Sequence, residues 1–146
     1  MILLFAFILI VDQVTKSWVV QHLNEGDCLY VWSFFNVVRV HNCGVTFGMF
    51  KEIAQPIILV IISLIVVSCF VLYAKQNKQY RYPAVAVIAG AIGNVIDRFR
   101  YFSVVDFLDF HINEYHWPAF NIADSAIVIG VCCIILISYI KGENHV

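Results

Sequence analysis

The chain has 146 residues, of which 62% are hydrophobic and 13% charged. A soluble domain is about 45–50% apolar and about 25% charged, so the apolar excess here must face lipid. The net charge of −1 gives no electrostatic footing for nucleic acid, and five cysteines without a CxxC spacing argue against a disulfide framework or a zinc ribbon.

A membrane-spanning helix needs about 20 mostly apolar residues. Residues 1–20 are the first candidate, interrupted by Asp12 and Lys16. No basic residue precedes the apolar run and no Ala-x-Ala cleavage pattern follows it, so it reads as a retained helix rather than a signal peptide. The apolar stretch before Asp12 covers about 16 Å of helix, half a bilayer. Either Asp12 lies at mid-depth or the start is short. Residues 21–52 are rich in β-branched and aromatic side chains, as in Leu29-Tyr30-Val31-Trp32 and Val37-Val38-Arg39-Val40-His41. They predict a small β-sheet cradle on the outer membrane surface.

Residues 53–74 carry no charge and form the clearest span. The connection 75–82 holds Lys75, Lys78 and Arg81 without an acid. Residues 83–99 are a third span, rich in small residues until Asp97 and Arg98, which must sit at its end or inside the bundle. Residues 99–118 mix charges with Tyr101, Phe102, Phe107, Phe110, Tyr115 and Trp117, and predict an interfacial flap. Residues 119–140 are the fourth span, with Asp124 near its start. The fold class is therefore mainly α and integral to the membrane. One domain, 1–146, has four transmembrane helices with a small cradle and a flap on the outer side. Four spans put both termini on one side. Lys75, Lys78, Arg81 and Lys141 place that side in the cytoplasm by the positive-inside rule, against the vote of Arg39, Lys51, Arg98 and Arg100. Tyr73, Tyr82 and Tyr139 near one face, and Trp18 and Trp117 near the other, predict aromatic belts.

An ionisable residue at membrane depth costs about 2.5–3.5 kcal/mol on insertion scales and marks a functional candidate. Asp12 and Lys16 are spaced i,i+4 and can pair on one helix face. Ala86, Gly90, Asn94 and Asp97 form a stripe whose small residues admit a neighbouring helix. Asn121 and Asp124 fall in the first turn of the last span. Asp106 and Asp124 have no basic neighbour in their own segments. Brought together, they would share one proton, the arrangement with which a pair of carboxyl groups activates water. The plainer reading is a solvated loop acid and a helix-start acid favoured by the dipole. Asp109, three residues from Asp106, reads as solvated. Asp12 with Lys16 reads as a structural pair, and so does Asp97. The several donors of Arg98 suit peptide carbonyls. Asn42 with Gly44 fits both a turn and a substrate contact.

Five segments carry a resemblance to a family. They are Asp12-Gln13-Val14-Thr15-Lys16, Asn42-Cys43-Gly44-Val45-Thr46-Phe47-Gly48, Gly90-Ala91-Ile92-Gly93-Asn94-Val95-Ile96-Asp97-Arg98, Val104-Val105-Asp106-Phe107 and Phe120-Asn121-Ile122-Ala123-Asp124. In this order, over residues 3–140, the chain resembles the lipoprotein signal peptidases (signal peptidase II). These bacterial inner-membrane enzymes cut signal peptides from prolipoproteins. The resemblance implies that Asp106 and Asp124 are the catalytic pair. It implies that Asn42, Gly44, Asn94, Arg98 and Asn121 bind substrate or shape the site, and that Asp12, Lys16 and Asp97 support it. It implies a diacylated prolipoprotein as substrate, held by the cradle under a 107–118 flap near the outer face. No metal or cofactor is needed, membrane lipid is the surrounding partner, and nothing calls for more than one chain. The chain departs from the pattern in its short start, in Ala89 before Gly90, and in Cys43.

Other functions fit less well. A small proton-coupled transporter needs polar groups continuing across the bilayer. Residues 53–74 and 125–140 contain no Asp, Glu, Lys, Arg or His. A membrane thiol oxidoreductase needs paired outer cysteines, and spacing leaves any Cys28–Cys43 pairing open. Cys132 and Cys133 point about 100° apart on a helix and read as packing residues. Asp109, His111 and His116 match no strong metal spacing.

Overall fold

The computed structural model describes residues 1–44 and 54–143. Helix α1 (Ile2–His22) leads into a β-hairpin of β1 (Cys28–Trp32) and β2 (Phe35–Asn42). Helix α2 (Ala54–Gln76) returns through a single 3₁₀ turn, Lys78–Tyr80, to α3 (Arg81–Tyr101). Strands β3 (Val104–Ile112) and β4 (Tyr115–His116) precede α4 (Ile122–Glu143). The strands form one antiparallel sheet in the order β1-β2-β3-β4.

Helix α3 is the hub of the bundle and packs against α1, α2 and α4. Its composition follows from that position. Ala84, Val87, Ala89, Gly90, Ala91, Gly93 and Val95 are all buried, and small residues let neighbouring backbones approach closely. Gly90 lies against the carbonyl oxygen of Ala123, and Gly130 of α4 lies against Pro83 and Val87. Three helices, α1, α2 and α4, are long and apolar enough to cross a membrane. Their outward faces expose Leu3, Phe7, Ile57, Ile61, Ile65, Val128, Ile129 and Ile135. Enclosed by the other three, α3 meets less lipid and can carry Asn94, Asp97 and Arg98.

The sheet closes one end of this bundle. Val37 pairs with Leu108, and Val40 with Asp106, so two residues of β2 oppose Phe107 alone. This β-bulge bends β2 beside Asp106, a placement common near functional sites. Arg39, inside the bulge, donates to the carbonyls of Val20 and Leu23 at 3.1 and 2.8 Å and so caps the end of α1. The turn from α3 to β3 passes through Phe102 at φ 57°, where its N–H bonds Arg98 O. A left-handed non-glycine residue costs about 1–2 kcal/mol, so surrounding contacts must hold this turn.

The segment 99–118 differs from the expected flap. Its start completes α3, and most of the rest is β3 and β4 of the common sheet. Strand β3 accepts a further partner as Phe120 exchanges backbone bonds with Leu108. Of the aromatic residues read as a covering loop, Phe107, Phe110 and Tyr115 lie in this ladder and Trp117 N–H bonds Phe110 O, whereas Tyr101 ends α3 and Phe102 makes the turn. Of the expected cradle, the part from Val45 onward lies outside the described residues. So do Lys51 and the motif residues Val45, Thr46, Phe47 and Gly48. The described cysteines are free thiols.

A side chain at position 90 has no room, since its Cβ would meet Ala123 backbone and lie 2.9 Å from Ile127. Gly90→Val is expected to destabilise the bundle by about 1–3 kcal/mol through overpacking. A thermal unfolding scan in detergent checks this, and an unchanged Tm would contradict the close α3–α4 contact.

Candidate active site

At the end of the bundle that carries the sheet, α1 buries a lysine. Lys16 is 2% exposed. Its Nζ lies 3.0 Å from Asp12 Oδ2, 2.9 Å from Asp97 Oδ2 and 2.9 Å from Asn94 Oδ1. An ammonium group has three donors and no acceptor, so this one is fully used. The i,i+4 pairing of Asp12 and Lys16 is local helix geometry, whereas Asp97 and Asn94 arrive on α3.

Each acid of this cluster also holds a backbone group. Asp12 Oδ1 accepts from the Ala123 N–H at 2.8 Å, in the first turn of α4. Such donors have no partner within their own helix. Asp97 Oδ2 accepts from the Val105 N–H at 3.2 Å, anchoring the start of β3. Gly93 makes the approach possible, because a Cβ there would sit 2.6 Å from Asp12 Oδ2. Gln13 completes the cluster. Its Nε2 donates to Asp12 Oδ2 and Asp97 Oδ1, both at 3.1 Å, and its Oε1 accepts from Arg100 at 3.1 Å. Helical spacing gave Gln13 no role, since it is only one residue from Asp12. Its presence inside a matched motif was the available signal.

The network continues outward through asparagines. With Lys16 holding Asn94 Oδ1, the amide Nδ2 of Asn94 points at Asp124 and donates to Oδ1 at 2.8 Å. The Asn121 N–H reaches Asp124 Oδ2 at 3.3 Å, and Asn121 Oδ1 accepts from the Asp124 N–H at 2.9 Å. The remaining amide of Asn121 donates to Asp106 Oδ1 at 2.6 Å. Asn121 thus bonds to both Asp106 and Asp124, one from β3 and one from α4. On the other side, Asn42 Nδ2 donates to Asp106 Oδ2 at 2.9 Å, while Asn42 Oδ1 accepts from the Gly44 N–H at 2.8 Å. Asn42 and the Val40 that opposes Asp106 share one strand face, which explains the reach. Arg98, on α3, donates to Asn94 O at 3.3 Å and lies within electrostatic range of Asp124, Asp97 and Asp106.

Charges at the site are therefore unevenly matched. Asp12 and Asp97 have Lys16. Among the described residues, Asp106 and Asp124 make no salt bridge. Asp106 is 2% exposed. Burial pushes its pKa from 3.8 up to about 6, helped by the charge of Asp124 and opposed by the bonds from Asn42 and Asn121. A buried acid beside a second acid in a polar cluster can hold or release a proton near neutrality, which is what general acid–base chemistry needs.

Asp109 is not solvated, contrary to the expectation from sequence. It is 5% exposed, accepts from Asn36 Nδ2 at 3.0 Å, and lies 2.8 Å from His116 Nδ1. Three residues along a strand reverse the face, so Asp109 points away from Asp106. Asn36 of β2 and His116 of β4 both meet its carboxyl, so Asp109 links the two strands that flank β3.

The comparisons with known proteins follow this geometry. Residues 4–140 match a family described as signal peptidase (SPase) II. The chain is 42% identical over 124 residues to the lipoprotein signal peptidase of Thermodesulfovibrio yellowstonii, covering 85% of this chain and 84% of that protein. It is 40% identical over 153 residues to that of Syntrophotalea carbinolica, covering 99% and 94%. A bacterial membrane enzyme solved by the in meso method at 2.3 Å resolution superposes with a TM-score of 0.85 at 34% identity. That match covers 98% of this chain and 89% of the solved one.

Lys16→Met leaves Asp12 and Asp97 buried without their cation and is expected to cost about 3–5 kcal/mol. Unfolding in detergent should show the loss, and adding Asp97→Asn should restore part of it. The Asp106 shift carries a second expectation. The folded state binds more protons than the unfolded chain between pH 3.8 and about 6, so this group makes stability fall as pH rises through that window. Asp106→Asn removes the effect. The Tm difference between variant and parent should therefore grow from pH 4 toward neutrality, and a pH-independent difference would contradict it.

Proposed function

The chain belongs to the signal peptidase II family, and we propose that Asp106 and Asp124 are the pair of acids with which it cuts. Its activity is that of a membrane aspartic endopeptidase removing signal peptides from lipoprotein precursors. The observation that carries the assignment of the pair is the bridging by Asn121 of the two cluster acids that lack a cation.

The two carboxyl groups take different parts. Asp124 stands in the first turn of α4, where its carboxyl accepts from the Asn94 amide and the Asn121 N–H. Burial and the neighbouring charge favour the proton on Asp106. Asp124 takes a proton from a water molecule held between them. The water oxygen attacks the scissile carbonyl carbon while Asp106 gives its proton to the carbonyl oxygen. The proton on Asp124 then passes to the amide nitrogen as the C–N bond breaks, and Asp106 regains its proton as the carbonyl re-forms. The chain's own groups supply both proton transfers. Arg98, half-buried beside the pair, offers donors to the peptide carbonyls flanking the bond, and Asn42 and Gly44 lie at the mouth of the site.

The substrate is a diacylated prolipoprotein whose lipid keeps the cleavage site at the membrane boundary. Helix α3 is the fourth span. The sheet lies on the outer side, and Lys75, Lys78, Arg81 and Lys141 lie on the cytoplasmic side with both termini. The enzyme works as a monomer in the bacterial inner membrane, surrounded by its lipid.

Asp106→Asn and Asp124→Asn are each expected to lower kcat on lipidated precursor by about 10³-fold with little change in KM, within the range for loss of a general acid or base. A gel assay of precursor conversion in detergent reads this. Near-normal turnover by either variant would overturn the pair.

A further inference from the structure

A second hydrogen-bonded chain runs beside the pair without touching it. Arg39 directs Nε and Nη2 at Nε2 of His41, both at 3.3 Å. On the other side of the ring, Nδ1 lies 2.8 Å from Ser103 Oγ, and that hydroxyl donates to Tyr101 O at 3.2 Å. The Tyr101 ring meets the imidazole edge-on at 5.9 Å. Among the described residues these are the polar and charged groups facing the imidazole from β2 and from the α3–β3 turn, and none is a carboxylate.

The chemistry of the partners fixes the ring. A guanidinium has donors only, so Nε2 must accept. The hydrogen of the neutral imidazole is then on Nδ1 and is donated to Ser103, whose own hydrogen goes to Tyr101 O. Each group has one role. The chain spans from Arg39, which caps α1, to Ser103, which is 4% exposed inside the turn made by left-handed Phe102. His41 pairs with Val105 across the ladder and immediately precedes Asn42.

We propose that His41, as the Nδ1–H tautomer, is a positioning residue that ties the end of β2 to the α3–β3 turn and so holds the Asn42 amide on Asp106. Without the tie, the last residues of β2 lose their side-chain anchor next to a bulge, and Asn42 is itself exposed. The inference rests on the assignment of Asp106 as catalytic.

Two measurements test it on the full chain in detergent micelles. The first is nitrogen NMR of histidine-labelled protein at neutral pH, with His41 assigned by its disappearance in His41→Asn. The Nδ1–H form is expected, and an Nε2–H form would overturn the proposal whatever the activity of the variants. The second is kinetics on lipidated precursor. His41→Phe should lower kcat by about tenfold or more with KM nearly unchanged, as small misplacements of catalytic groups do. His41→Asn, whose amide replaces the Nδ1–H donor, should recover much of that loss. Because the Asn42 bond lowers the pKa of Asp106, His41→Phe and Asn42→Ala should each move the Asp106-dependent limb of the pH profile upward. In the double variant the two losses should not multiply. A normal kcat in His41→Phe, or independent losses in the double variant, would overturn the tie. If Asp106→Asn is inactive while His41→Phe is normal, the tie alone fails. If Asp106→Asn is active, the catalytic assignment fails first.

Discussion

Lys16 carries its ammonium group to the place where α1, α3 and the start of α4 meet, and three side-chain oxygens take its three hydrogens. Charge this deeply buried is tolerated only when it is paired and hydrogen-bonded. Meeting that condition fixes much of the site. Asp12 and Asp97 must stand on either side of Lys16, and each also accepts a backbone N–H, Asp12 on its other oxygen at the opening of α4 and Asp97 on the same oxygen at the opening of β3. The two elements that carry Asp124 and Asp106 are thus anchored to a single cation that touches neither acid. The small residues of α3 follow from the same need, because Gly93 must yield space to the Asp12 carboxylate.

The asparagines convert this anchoring into orientation. An amide has a donor end and an acceptor end, and in Asn94 the acceptor end is committed to Lys16, leaving the donor end for Asp124. Asn121 is committed in the same way, with its oxygen on the Asp124 N–H and its nitrogen on Asp106. Neutral donors can hold both acids without lending either a full positive charge. A lysine in their place would depress the pKa of Asp106. Lys16 places its one positive charge between two acids, and the asparagines hold the other two with neutral donors.

Local geometry made part of this legible in the sequence. Asp12 and Lys16 are one helical turn apart, and Asn94, Asp97 and Arg98 share a face, so their grouping needed only the helical period. The absence of a basic neighbour near Asp106 and Asp124 was likewise visible. Their convergence was not, because it depends on β3 folding back beside α4, and the family resemblance supplied it. Gln13, His41 and Ser103 escaped notice for the same reason, since each has a partner far along the chain, Asp97 for Gln13 and each other for His41 and Ser103. Asp109 was misread because a strand's second face can be wet or buried, and its partners Asn36 and His116 come from the neighbouring strands. The strands within 99–118 were not legible because aromatic and charged residues suit a surface loop and a sheet equally well.

The central claim is that one proton serves Asp106 and Asp124 together. The most direct measurement is an infrared titration of the carboxyl stretching band in the intact protein, compared with Asp106→Asn and Asp124→Asn. A shared proton predicts a protonated carboxyl that persists to about pH 6, is absent in Asp106→Asn, and titrates at lower pH in Asp124→Asn, where the neighbouring charge is gone. Full ionisation of both acids by about pH 4, the ordinary range for aspartate, would contradict it.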